Sequence, residues 1–288
     1  MHNQDWSMVF FTTLSQLSVG IIICFSFIYF LQNDPNLIFE KGLSLKNPSV
    51  LALIFIAIAF CISLLHLGSP LNSLNSINNL SGSWVSREIL GLGMFALSLL
   101  IIFVLGWKFE ALDLYKYLLP ISAIIGLLFI WFMYRIYCIP TIPSWNTWNT
   151  PLAFATTTFV LGITTFLLLS FNGFISINNQ TERILSNVLI ALLFIEICAG
   201  IFHQFKLEGM IPGIEDIAFN QGIYYMVFLL RISLLIIAFI AMIILVLKPS
   251  LFMGNSYYVW MFLMLFLVII QEFIGRLLFY SSYFRVGM

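Results

Sequence analysis

The chain has 288 residues, of which 61% are hydrophobic and only 8% are charged, and its formal net charge is zero. Soluble domains carry a charge on roughly a quarter of their residues, so this composition excludes an ordinary soluble protein. The neutral balance also gives no indication of nucleic-acid binding.

Long apolar segments fill most of the sequence. A membrane-spanning helix needs roughly 20 mostly apolar residues, and eight segments meet that requirement. In chain order they are about Met8–Leu31, Pro48–Ser69, Trp84–Gly106, Tyr115–Ile139, Thr150–Asn172, Arg183–Phe205, Ile223–Leu247 and Tyr257–Tyr280. Their apolar runs are continuous and lack the two-residue alternation of a barrel strand. The sequence therefore predicts an all-α, polytopic integral membrane protein in which residues 1–288 form a single bundle of eight transmembrane helices.

Basic residues in the connections predict the orientation of this bundle. Two of them, Lys206 and Arg285, lie on the side of the two termini. Six lie on the opposite side: Lys41, Lys46, Lys108, Lys116, Arg183 and Lys248. Because basic residues in short loops favour the cytoplasm, both termini are predicted to be outside.

Ionisable residues within the predicted helices gather toward the outer end. Such residues are costly near hydrocarbon and usually serve a function. His66 closes the second helix in the sequence HLGSP, and Glu88 lies about one turn inside the third, so the two side chains can approach one another at one depth. A histidine that faces a carboxylate can accept and pass protons near neutral pH. This pair is the first candidate for a proton-handling site.

The later helices carry a second group of ionisable residues. Glu196 and His203 share a stripe on the sixth helix, and Arg231 enters from the outer end of the seventh, where it either pairs with Glu196 or holds helix ends together. Glu272 and Arg276 on the eighth helix are four residues apart, which is the favourable order for an intrahelical ion pair. We interpret this last pair as structural.

Three activities are compatible with these residues. Quinol oxidation needs an apolar slot, a base near a hydroxyl group and a route to water, and His66 and Glu88 can provide the base. A b-type cytochrome would need haem between His66 and His203, and a proton-coupled transporter would use the intramembrane acids and arginines. The four cysteines lie within predicted helices without a CxxC spacing, which argues against an iron–sulfur cluster on this polypeptide.

Several motifs make a family resemblance recognisable. They are HLGSP at His66–Pro70, NSLNSINNLSGSWVSREI at Asn72–Ile89, TIPSWNTWNTP at Thr141–Pro151 and the ending QEFIGRLLFY with VGM. The protein resembles the membrane-anchor subunit of bacterial dimethyl sulfoxide reductase over nearly its whole length. The polysulfide-reductase type of quinol dehydrogenase subunit shares the eight-helix plan and is the nearest competing family.

The resemblance implies a subunit of an anaerobic respiratory enzyme in the bacterial cytoplasmic membrane, with periplasmic termini. Such a subunit oxidises menaquinol, contains no haem, iron–sulfur cluster or metal, and passes electrons to a ferredoxin-like partner with four 4Fe–4S clusters. Such a subunit also anchors a molybdopterin catalytic subunit, which reduces the terminal acceptor. By resemblance His66 and Glu88 are the catalytic residues, and we expect the quinol pocket to be lined by His66, Gly68, Ser69, Arg87, Glu88, Arg135 and Trp145.

Overall fold

All regular secondary structure in the described part of the protein is helical. A computed structural model describes residues 3–32, 47–64, 78–108, 112–171, 175, 177–210, 221–247 and 255–283. Its helices are α1 (Asn3–Gln32), α2 (Pro48–Leu64), α3 (Trp84–Lys108), α4 (Leu112–Tyr137), α5 (Asn149–Phe171), α6 (Asn179–Met210), α7 (Gln221–Leu247) and α8 (Asn255–Ser281). The all-α prediction is confirmed, and the predicted helices agree with these bounds to within about five residues. The exception is the end of the second helix, because residues 65–69 lie outside the described ranges.

Seven of these helices are long and apolar enough to cross a membrane, whereas α2 is described over only 17 residues. Large apolar side chains cover the outward faces of these helices, among them Leu97, Ile124 and Phe202. A surface of this kind needs a lipid environment. The prediction of a multi-pass membrane protein is therefore confirmed.

The helices form two rings of four. In the first bundle, α1–α4, each helix packs on the next and α1 closes the ring against α4. The second bundle, α5–α8, repeats that order, with α5 closing against α8. The two bundles join where α1 packs along α5, and the contacts of α1 with α8 and of α4 with α5 flank this seam. Each helix of the first bundle thus has a counterpart four positions later in sequence order.

The two helices at the seam are the most enclosed. About 67% of the apolar window of α1 and 72% of that of α5 are buried, compared with 22–39% in the other five spans. Several of their buried hydroxyl groups are satisfied within the helix: Thr13 donates to the carbonyl of Val9, and Thr158 to that of Phe154, each at 2.8 Å. Gln16 of α1 crosses the seam and donates to the Phe154 carbonyl at 3.0 Å. Small and hydroxyl side chains thus allow close packing while their polar groups are hydrogen-bonded.

Gly20 and Gly162 lie at the closest approach of α1 and α5. A Cβ atom added to Gly162 would overlap the backbone of Gly20, and one added to Gly20 would overlap the carbonyl oxygen of Thr158. Neither obstacle is a flexible side chain. The junction between the bundles therefore depends on two residues that have no side chain.

Candidate functional site

The turn that leads into α3 is held by Arg87. Ser83 is the N-cap of the helix, because its hydroxyl accepts from the backbone N–H of Ser86 at 3.3 Å. From inside the first turn, the Arg87 guanidinium reaches back and donates to the carbonyls of Leu80 and Ser81, each at 2.8 Å. Arg87 was predicted to line a ligand pocket, and the contacts found for it fix the connection that precedes Glu88.

Arg135 joins this turn from α4. The indole ring of Trp84 lies near two guanidinium groups, with the Arg87 Cζ 4.0 Å and the Arg135 Cζ 4.6 Å from its ring centroid. The Arg135 Nε is buried and has no hydrogen-bond partner within the described residues. Arg87 and Arg135 thus lie beside the same indole ring, and the quinol pocket expected around them stays a prediction.

Glu88 is half-buried on the second turn of α3. The turn lies close to α4 because Gly91 leaves room: a Cβ atom there would come within 3.3 Å of the Phe129 Cα atom. The Glu88 carboxyl lies within electrostatic range of the hydroxyl groups of Tyr137 and Tyr280. These tyrosines were not singled out from the sequence, where they are two of eleven tyrosines in apolar surroundings.

Tyr137 and Tyr280 connect the two bundles. Their hydroxyl oxygens are 2.7 Å apart, and both side chains are buried. Arg276 of α8 interacts electrostatically with both hydroxyl groups. The hydrogen bond between the two hydroxyl groups therefore joins α4 of the first bundle to α8 of the second, the helix that carries Arg276.

Trp145 anchors the connection between α4 and α5. Its indole N–H donates to the backbone carbonyl of Phe279 at 2.7 Å. Its ring stacks on the ring of Phe279, with centroids 5.4 Å apart, and meets that of Tyr137 edge-on at 5.4 Å. Trp145 was predicted to line the quinol pocket, and its side-chain N–H is engaged in holding this connection to α8.

The other half of the predicted catalytic pair lies outside the described residues. His66, Gly68 and Ser69 follow the last described residue of α2, Leu64. The helix that precedes His66 in sequence, α2, packs on α3, which carries Glu88. The meeting of His66 with Glu88 stays a prediction.

The structure brings a second polar group together inside α5–α8. Glu272 and Arg276 were interpreted as a mutual ion pair, yet each binds another helix. Glu272 accepts a hydrogen bond from Thr157 of α5 at 2.7 Å, and Arg276 donates to Gln16 of α1 at 2.9 Å. The i, i+4 spacing puts both on one face, but it does not determine which neighbours they meet.

An apolar groove lies on the outer surface between α5 and α6. It has a volume of about 500 Å³ and is lined by aromatic and aliphatic residues that include Trp148, Phe194 and Phe202. None of its described lining residues is a carboxylic acid, a histidine or a basic residue. The groove suits a lipid or an isoprenoid tail, but its described lining offers no base for proton transfer, whereas the surroundings of Glu88 do.

Comparison with known proteins gives a consistent result over nearly the whole sequence. The family model described as DMSO reductase anchor subunit (DmsC) matches residues 1–282. The C chain of anaerobic dimethyl sulfoxide reductase from Haemophilus influenzae is 30% identical over 288 residues, which cover 98% of this protein and 95% of the relative. The YnfH chain of an anaerobic dimethyl sulfoxide reductase from Escherichia coli K12 is 29% identical, covering 99% and 96%. The C chain of anaerobic dimethyl sulfoxide reductase from the same strain is 27% identical, with the same coverage.

Proposed function

The protein belongs to the family of DMSO reductase anchor subunits, and on this premise we propose that it oxidises menaquinol and delivers the electrons to an iron–sulfur partner. Family membership makes it the membrane anchor of an oxidoreductase complex. The finer assignment rests on Glu88. This acid lies on an apolar helix close to one end of the bundle, next in sequence to Arg87, whose guanidinium lies with that of Arg135 beside Trp84.

The proposed chemistry is a two-electron oxidation of quinol to quinone. The quinol hydroxyl groups lose two protons, and two electrons leave the ring. Glu88 accepts one proton and His66 the other, a transfer that requires each side chain to come within hydrogen-bond reach of a hydroxyl group. Arg135, whose guanidinium lies beside Trp84 at the start of α3, is proposed to hold a ring oxygen. The electrons pass to the nearest cluster of a ferredoxin-like subunit with four 4Fe–4S clusters, which supplies a molybdopterin catalytic subunit.

The same proposal includes an eighth transmembrane helix. The 17 described residues of α2 extend about 25 Å. The sequence continues with Leu65, His66 and Leu67 before Gly68 and Pro70, and a helix extended by these three residues would approach the roughly 30 Å of the hydrocarbon core. With eight spans in a bacterial cytoplasmic membrane, both termini are periplasmic and the end that carries Glu88 faces outward.

This orientation predicts that turnover generates no membrane potential. Protons that leave through Glu88 and His66 are released on the outer side, and the electrons reach a partner on that side, so no net charge crosses the membrane. The measurement uses the whole complex in liposomes with menaquinol, an acceptor and a potential-sensitive dye. We expect a dye signal no larger than that of vesicles without acceptor, whereas a sustained potential that an uncoupler abolishes would contradict the outward release.

The experiment that tests the function compares the complex with and without this subunit. Both preparations receive either a menaquinol analogue or a soluble artificial electron donor, together with the terminal acceptor. We expect the artificial donor to support reduction in both, and quinol to support it only when the anchor is present. Quinol-dependent reduction by the two partner subunits alone would show that the proposal is wrong.

A further inference from the structure

Two carboxyl groups and two guanidinium groups are gathered inside the second bundle, away from Glu88. Glu196 comes from α6, Arg231 from α7, and Glu272 and Arg276 from α8. Glu196, Glu272 and Arg276 are only 5%, 1% and 3% exposed. Ionisable residues so deep in an apolar bundle usually have a function.

The two members of this cluster on α8, Glu272 and Arg276, form hydrogen bonds with uncharged side chains. The Thr157 hydroxyl donates to the Glu272 Oε2 at 2.7 Å, and the Gln271 amide donates to Oε1 at 2.9 Å. Arg276 donates to Gln16 and lies over the Phe154 ring, with its Cζ 3.7 Å from the centroid. Both side chains are thus fixed in place.

Glu196 is different, because both of its carboxyl oxygens are buried and neither has a well-formed hydrogen bond within the described residues, where Glu272 and Thr156 are the nearest candidate partners. Its polar neighbours are Glu272, Arg231 and Thr156. Arg231 is held by packing: a Cβ atom on Gly275 would be 2.7 Å from its Cζ atom, so the guanidinium rests on the backbone of α8. A buried carboxyl with no protein donor is normally served by water.

Space for water adjoins Glu196. A cavity of about 20 Å³ is lined by Glu196, Thr156 and Arg231, and another of about 50 Å³ by Arg231, Glu272 and His203 among others. The two cavities share wall residues, which are Asn149, Ala153, Gly200 and Arg231. An ordered water needs roughly 10–15 Å³ of such space and two to four polar partners, so both cavities can be hydrated, with Arg231 between them.

The larger cavity lies toward the end of the molecule that carries Glu88. Asn149 is the first residue of α5, Tyr224 lies in the first turn of α7, and Leu278 lies in the last turn of α8, and all three line it. Water that occupied this cavity would therefore lie close to that face of the membrane.

We propose that Glu196 and Glu272 hold one exchangeable proton between them and exchange it through cavity water with the face that carries Glu88. Adjacent carboxyl groups can share a proton in this way. In the release step, the O–H bond of the Glu196 carboxyl breaks, the proton passes to a cavity water, and the carboxylate stays beside the Arg231 guanidinium; uptake is the reverse. The charged or titratable groups around the pair are Arg231 and Tyr224 from α7, Arg276 from α8 and His203 on α6, while α5 contributes Thr156 and Thr157.

This proposal does not depend on quinol oxidation. Its test uses a spectroscopic signal, so it can succeed or fail independently of quinol-dependent activity. The assembled complex carrying Glu88→Gln is titrated with pH and followed by infrared difference spectroscopy in H₂O and D₂O. Removing Glu88 excludes its own signal. We expect a C=O band of a protonated carboxyl that shifts in D₂O and disappears as the pH rises.

The assignment of that band comes from further substitutions in the same background. Glu196→Gln should abolish it, Glu196→Asp should keep it at a displaced frequency, and Glu272→Gln should change the pH at which it titrates. Glu182→Gln, near the other end of α6, is the matched control and should leave it unchanged. Absence of a titrating band, or a band unaffected by Glu196→Gln and Glu272→Gln, would overturn the proposal. If Glu196→Gln does not assemble, Glu196→Asp and Glu272→Gln decide the result.

Discussion

The Glu88→Gln complex is expected to assemble normally and to lose quinol oxidation by roughly 100-fold or more, the lower limit of what a positioned acid–base group contributes. Glutamine has nearly the same shape as glutamate, so the packing of α3 against α4 around Gly91 is kept. What is lost is the ability to accept a proton. The measurement is the rate of acceptor reduction with a menaquinol analogue, at equal amounts of assembled complex.

Two controls make this result specific. The same complex should reduce the acceptor at the normal rate with a soluble electron donor, because the partner subunits are unchanged. Glu182→Gln removes a carboxyl near the opposite end of the molecule and should leave quinol oxidation intact. Full quinol-dependent activity of Glu88→Gln would eliminate Glu88 as the essential proton acceptor.

The second large effect is expected from Gly162→Val, which should prevent the two bundles from packing together. The added side chain would enter the backbone of Gly20, and backbone atoms cannot move aside without separating α1 from α5. We expect a loss of stability of about 3 kcal/mol or more, the upper end of overpacking effects. The measurement is the amount of the protein in membranes and its thermal unfolding temperature in detergent.

Gly93 provides the matched control for this substitution. It is also a helical glycine, but a Cβ atom there would meet nothing within 4 Å. Gly93→Ala should therefore leave both the amount and the unfolding temperature unchanged. Equal behaviour of Gly162→Val and Gly93→Ala would show that the seam tolerates more separation than its geometry implies.

The sequence predicted the helices well because apolar length alone determines where a membrane helix can form. It did not predict that α1 and α5 are the central helices. The available signal was the polar side chains within these two apolar runs, such as Gln16 and Thr158, which need an internal position. The pairing of α1 with α5 also depends on Gly20 and Gly162, which are far apart in the sequence, and hydropathy carries no information about such contacts.

The candidate site was predictable only in part, for a similar reason. Sequence position placed Arg87, Glu88 and Arg135 toward one end, and their helices do meet there. Spacing along one helix could not show that Glu272 and Arg276 bind α5 and α1. Nor could it show that the N–H of Trp145 is engaged by a backbone carbonyl. Each of these outcomes depends on which helices are neighbours.

Each of the two bundles carries one of the two proposed proton-exchange sites. The first carries Glu88, and the second carries the Glu196–Glu272 pair, with the hydroxyl groups of Tyr137 and Tyr280 in contact between them. Both polar sites lie toward the same end of the molecule. Both proposals therefore place proton exchange toward the face of the membrane that carries Glu88.

Photolabelling tests the central claim most directly. A photoreactive menaquinol analogue is bound to the assembled complex, activated by light, and its attachment sites are mapped by mass spectrometry. We predict labelling of the peptide that contains Arg87 and Glu88, reduced by excess unlabelled menaquinol. Labelling confined to the apolar groove at Trp148, Phe194 and Phe202, with none near Glu88, would contradict the proposed quinol site.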